Sequence, residues 1–116
     1  MKQMLDEIYG KLKSVGLPVE YGVCTKEYEA WDYIVYGRKS VGRNARNYTN
    51  RFFVAIVREN YIPENFDVEV IEKLEEIPGL KLTKGEQPYE YTKKKNTDSV
   101  IEICVLEFAK EQKKGC

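Results

Sequence analysis

A basic stretch in the first half of the chain holds the residue types that could do chemistry. Residues 36–52, YGRKSVGRNARNYTNRF, contain no acid and five cations: Arg38, Lys39, Arg43, Arg46 and Arg51. Gly37 and Gly42 have four residues between them, as in phosphate-binding loops, but such a loop continues with Lys and then Ser or Thr. Arg43 and Asn44 stand there instead and no helical pattern follows, which argues against a nucleotide-phosphate loop.

Nucleic acid is a second kind of partner for the same cations. Asn44, Asn47 and Asn50 lie between them, and Tyr48 could stack on a base while the cations contact phosphates. The sequence has no helix-turn-helix, RRM or zinc-finger signature, and its 19 basic and 19 acidic residues cancel. A small nucleic-acid-binding module that uses a basic loop, residues 38–51, is therefore the alternative interpretation, and a merely solvated loop also fits this composition.

An acidic segment follows the basic one. Residues 59–78 contain seven acids and a single cation, Lys73, and the helical part carries Glu69, Glu72, Glu75 and Glu76. Acids late in a helix are mildly unfavourable with its dipole, which indicates another use for them. Two opposite patches on one surface allow head-to-tail pairing between copies, and such a contact closes into a ring when its rotation permits.

The sequence predicts no catalytic residue, metal ligand set or cofactor site, and so a protein that is not an enzyme. It has no histidine, which excludes Ser-His and Cys-His nucleophile pairs and the usual zinc sets. Three cysteines without CxxC spacing, Cys24, Cys104 and Cys116, are expected to be reduced thiols.

Composition indicates one globular domain. The 116 residues are 42% apolar and 33% charged, and the longest apolar run is far too short to span a bilayer. We expect the domain to cover residues 1–110 and a frayed tail to cover residues 111–116. The amphipathic N-terminus does not resemble a secretory signal, so the default location is the cytosol.

Periodicity predicts an α+β fold. Met4, Leu5, Ile8 and Leu12 recur at helical spacing, and residues 17–23 and 31–37 alternate as strands. The apolar run RFFVAIVRE predicts a central strand and VEVIEKLEEI predicts a second helix. Residues 81–95 and 99–111 are predicted to form two closing strands. We therefore expect a mainly antiparallel sheet of about five strands with both helices on one face, in the order α-β-β-(long loop)-β-α-β-β. Residues 38–51 of the basic stretch form the long loop.

This layout resembles a known family. The order of the predicted elements is similar to that of the tail-completion or tail-terminator proteins of long-tailed bacteriophages and prophages. These elements are an opening helix, the strand LPVEYGV, the aromatic strand WDYIVYG, a polar connection, the strand FFVAIVRE, the helix VEVIEKLEEI and two closing strands. The similarity spans nearly the whole chain and rests on the order of elements.

The resemblance implies a structural virion protein without cofactor or catalytic residues. Such a protein assembles as a ring, typically of six subunits, at the head-proximal end of the tail. There it completes the tail tube and meets tail-tube and head-connector proteins. It is made in the host cytoplasm, does not bind membranes, and DNA passing through its lumen would touch the basic residues without sequence recognition.

Overall fold

The computed structural model describes residues 4–113 and confirms an α+β fold. Two helices accompany a six-stranded sheet rather than one of about five, because residues 81–95 form two short strands instead of one. The elements are α1 (Met4–Lys13), β1 (Val19–Tyr21), β2 (Tyr33–Arg43), β3 (Asn47–Glu59), α2 (Phe66–Glu75), β4 (Lys81–Leu82), β5 (Tyr89–Lys93) and β6 (Val100–Lys113).

The sheet is mainly antiparallel, as predicted. Its strand order is β1-β2-β3-β6-β4, and β5 pairs with the same edge of β6 as β4 does, closer to the start of β6. Only β1 runs parallel to its neighbour among the pairs recorded for the described residues. The three long strands β2, β3 and β6 carry almost all of the sheet, and the short strands lie along its edges.

Both helices pack on one face of the sheet, as expected. Alternate residues of the long strands point toward the helices and are buried there: Ile34 and Tyr36 on β2, Val54 and Ile56 on β3, and Leu106 and Phe108 on β6. Ile8 and Leu12 of α1 and Val70 and Leu74 of α2 complete this core. The period-two pattern of the strands and the helical spacing therefore meet in one apolar layer.

The prediction of a long loop between β2 and β3 is wrong. The two strands continue through residues 38–51 as one antiparallel hairpin in which Arg38 is opposite Phe52 and Arg43 is opposite Tyr48. Only residues 44–46 connect the strands, and β6 extends alongside so that Tyr48 is opposite Gln112. The segment lacks an apolar alternation because neither of its faces is buried, and this is why its sequence is typical of a loop.

The hairpin and the end of β6 form an extension that we call the arm, residues 39–51 and 109–113. The described residues measure 53 × 28 × 23 Å with a radius of gyration of 15.3 Å, against about 13 Å for a compact chain of this length. The predicted tail at residues 111–116 is corrected in part, since residues 111–113 pair with β3, while residues 114–116 lie outside the described residues. No helix in the described part of the chain is both long and apolar enough to cross a membrane.

Candidate functional site

The arm separates the five predicted cations instead of displaying them on one loop. Arg38 lies at its base, Lys39 is an extra residue at an irregularity in the β2–β3 register, and Arg43 ends β2. Arg46 lies in the connecting turn, and Arg51 is on β3 opposite Ser40. All five are exposed, so the strand geometry decides what each of them can contact.

Lys39 is engaged within its own chain. Its ammonium group donates a hydrogen bond to Glu107 on β6, whose carboxylate lies 3.2 Å from the ammonium nitrogen of Lys84 as well. These groups line a cavity of about 390 Å³ on the sheet face that is opposite to the helices, together with Phe53 and Pro88. The bulge thus directs Lys39 away from the other cations.

A larger cleft lies on the helix side of the arm. It measures about 720 Å³ and runs from the first turn of α1 across the strands of the arm. Three of the predicted cations line it, Arg38, Arg43 and Arg51, and Lys110 of β6 joins them. The sequence interpretation missed Lys110 because only the pairing of Asn50 with Lys110 brings it beside the hairpin.

Aromatic and apolar side chains share this cleft with the cations. The guanidinium carbon of Arg43 lies 5.9 Å from the centre of the Tyr48 ring, in range of a cation–π interaction. Leu5 of α1, Val41 of β2 and Phe52 of β3 contribute apolar surface, and the acid that lines the cleft is Glu7. The cleft is therefore a positively charged groove with apolar walls, suited to an anionic partner that also has apolar surface.

The turn at the tip of the arm is fixed by a side chain. The Oδ1 atom of Asn44 accepts hydrogen bonds from the backbone N–H groups of Arg46 at 2.9 Å and Asn47 at 2.7 Å. The backbone N–H of Asn44 also donates to the carbonyl oxygen of Asn47 at 3.0 Å. This Asx arrangement positions Arg46 at the end of the molecule, away from the cleft-lining residues.

The four predicted acids, three on α2 and Glu76 at its C-cap, also divide into two groups. Glu75 accepts a hydrogen bond from the backbone N–H of Leu82 at 3.0 Å, and Glu76 lies 2.6 Å from the ammonium nitrogen of Lys11 on α1. The hydrogen bond and charge of Lys11 lower the pKa of Glu76. Glu69 and Glu72 are exposed, and their side chains form no ion pair or hydrogen bond with another residue of 4–113.

Cys104, Tyr28 and Glu59 have shifted pKa values that their surroundings in the fold explain. Burial raises the pKa of the Cys104 thiol to about 11, and the hydroxyl of Tyr28 donates to Glu20, which raises the pKa of Tyr28 to about 12. Glu59 accepts from the backbone N–H of Trp31 at 3.1 Å, which lowers its pKa, and Lys94 lies 3.1 Å away. In residues 4–113 no three His, Cys, Asp or Glu side chains are grouped as metal ligands would be.

Comparisons with known proteins include a weak likeness to a chain of a solved structure. No family model matches the chain, and no curated protein matches it. A chain of a solved structure described as the virion of a native gene transfer agent (GTA) particle is similar over 90% of this chain and 92% of that chain, with 14% sequence identity and a TM-score of 0.44. A likeness at this level assigns neither a family nor a function.

Proposed function

We propose that this chain is a structural protein of a phage-like particle that assembles with copies of itself into a ring and completes the tail tube at the junction with the head. The order of its elements, which resembles the tail-completion and tail-terminator proteins, supports this function. The role is one of assembly, with no catalytic residue and no cofactor. The ring would meet tail-tube proteins on one side and head-connector proteins on the other.

The arm is the observation that carries this proposal. Among its described side chains in residues 39–51 and 109–112, none is buried, whereas the same three strands are buried on one face beneath the helices. On the outer side of β2, β1 pairs only with Ile34 to Tyr36, so the described residues leave the β2 edge of the arm without a strand. A long, well-paired extension with open faces and an open edge gives a monomer little burial, and it offers a partner both side chains and backbone groups.

The proposed location and contacts follow from the same role. The protein would be made in the host cytoplasm and become part of the virion at the head-proximal end of the tail, with six subunits as the typical ring size of the proteins that it resembles. DNA passing through the ring would meet exposed cations such as Arg46 by charge alone, without sequence recognition.

Native mass spectrometry and electron microscopy test the proposal, first on the purified protein and then with a tail-tube protein present. We expect the wild type and the Val100→Glu variant to form closed rings and the Val41→Glu variant to form none. The two valines are a matched pair, since Val41 in the arm is 39% exposed and Val100 at the other end of the sheet is 44% exposed. Failure to form rings under both conditions, or equal behaviour of the two variants, would contradict the proposal.

A second candidate function is supported by the cleft. Arg38, Arg43 and Lys110 beside Tyr48 are groups that could bind a nucleic-acid backbone and stack on a base. If the protein is a nucleic-acid-binding module, it binds generic DNA as a monomer, and the logarithm of its affinity falls with the logarithm of salt concentration with a slope of about 3 for three phosphate contacts. Fluorescence anisotropy across a salt series measures this slope.

A further inference from the structure

We propose that the cleft at the arm of one copy binds the outward face of α2 of a second copy, through Arg38, Arg43 and Lys110 on one side and Glu69 and Glu72 on the other. This inference rests on the self-assembly proposed above and names the two surfaces that meet. It is independent of how many copies the assembly contains.

The cleft has the composition that an acidic amphipathic helix requires. Its volume of about 720 Å³ accommodates several side chains of such a helix. Arg38 and Arg43 come from β2 and Lys110 from β6, so the cations lie on both sides of β3. Leu5 and Val41 provide apolar surface beside the cations that water would otherwise cover.

The outward face of α2 has matching features. Val70 and Leu74 are fully buried against the sheet, which turns the opposite side of the helix to solvent. Val68 and Glu72 are one turn apart on that side, with Glu69 adjacent. Val68 is 43% exposed, so this face presents an apolar side chain flanked by carboxylates.

Ion pairs within the chain show which charged residues of the arm and of α2 are already engaged. Lys39 is held by Glu107, and Glu76 is held by Lys11, so neither needs a partner from another chain. Glu69 and Glu72 remain exposed without a recorded partner among the described residues. The two surfaces that are left are opposite in charge, and charge complementarity gives such a contact its register and its encounter rate.

The cleft cannot be filled by α2 of its own chain. Burial of Val70 and Leu74 fixes that helix on the core with its acids pointing away from the sheet. The occupant therefore comes from a second molecule. A phosphodiester backbone would satisfy the cations but would leave Leu5 and Val41 uncovered. Val68 of a second copy would cover this apolar surface while the carboxylates beside Val68 reach the cations.

A charge-swap experiment with the full chain tests the contact. One variant carries Arg38→Glu and Arg43→Glu, and the other carries Glu69→Lys and Glu72→Lys. Each alone would place like charges opposite each other, so we expect its self-association to weaken by about 100-fold or more. An equimolar mixture restores attraction in both contacts and is expected to assemble in native mass spectrometry. A Lys93→Glu, Lys95→Glu variant makes the same charge change on exposed residues of β5 and the following turn, and it should assemble like the wild type.

The outcomes separate this contact from the proposed ring. Circular dichroism first establishes that each variant is folded. Assembly that is restored only in the mixture supports the contact. If the restored particles are dimers, they support the contact but overturn the proposed ring. Three results would overturn the contact: a mixture that stays monomeric, variants that assemble like the wild type, or a wild type that is monomeric by itself. The proposed function would then depend on rings that form only on a tail tube. Loss of DNA binding without loss of assembly in the Arg38→Glu, Arg43→Glu variant assigns the cleft to nucleic acid and also overturns the contact.

Discussion

The strands β2, β3 and β6 cross two environments in this protein. Beneath the helices, alternate side chains such as Val54 and Leu106 are fully buried, and each contributes about 1.5–3 kcal/mol by leaving water. In the arm, the same strands keep their pairing register, from Arg38 opposite Phe52 to Arg43 opposite Tyr48, although none of the described side chains in residues 39–51 is buried. The covered end is therefore stabilised by packing and the arm by backbone pairing, which leaves the side chains of the arm available for partners.

This difference predicts unequal effects of one kind of substitution. Leu106→Ala removes a fully buried side chain from the covered end and should lower the free energy of unfolding by about 2–5 kcal/mol. Val41→Ala in the arm, where the side chain is 39% exposed, should change it by less than about 0.5 kcal/mol. Urea denaturation measures both. Similar values for the two variants would mean that the arm is packed in solution, and the comparison would fail.

A smaller effect is expected at the boundary between the two regions. Gly37 lies beneath the ring of Phe53 on the face away from the helices, and a Cβ atom at this position would be 2.9 Å from a ring carbon. Gly37→Ala should therefore destabilise the protein by about 1–3 kcal/mol through overpacking. In Gly42→Ala, within the arm, the nearest atom would be 3.8 Å away, so this control should be neutral or slightly stabilising.

The double variant Gly37→Ala, Phe53→Ala tests the cause. If contact with the phenyl ring of Phe53 destabilises Gly37→Ala, this substitution should be tolerated once that phenyl ring is removed. A double-mutant cycle measured by urea denaturation would then give a clear coupling energy. Additive effects would show instead that Gly37 is needed for its backbone, and the contact with Phe53 would lose its importance.

The two regions also differ in what the sequence could predict. The covered end follows from local patterns, because Ile8 and Leu12 recur at helical spacing and Val54 and Ile56 alternate in a strand. The arm has no buried face and so no apolar alternation, and its pairing depends on β6, which follows much later in the chain. For the same reason Lys110 could not be assigned to the cleft from sequence.

The acidic helix shows the same limit, because the residues that contact its acids come from distant parts of the chain. Glu69, Glu72 and Glu75 on α2 and Glu76 at its C-cap are all exposed, and the local sequence gives no reason to distinguish them. Only the fold brings Lys11 to Glu76 and the backbone N–H of Leu82 to Glu75. The charge contrast between the basic and acidic segments was therefore visible in the sequence, whereas the subset that is free for a partner required the structure.

The smallest expected effect concerns that subset. Lys11→Met should raise the pKa of Glu76 toward its ordinary value, since the hydrogen bond and charge of Lys11 are the main causes of the lowering, with a lesser contribution from Lys73. Because the pKa is lowered in the folded state, the pair stabilises the fold above the ordinary glutamate pKa, and this contribution is lost as the pH falls through the lowered value. NMR titration of the Glu76 carboxyl carbon measures the shift, with Lys13→Met on the same helix as the control. An unchanged pKa would show that the pair does not form in solution, and Glu76 would then join Glu69 and Glu72 as an acid that the arm of a second copy could bind.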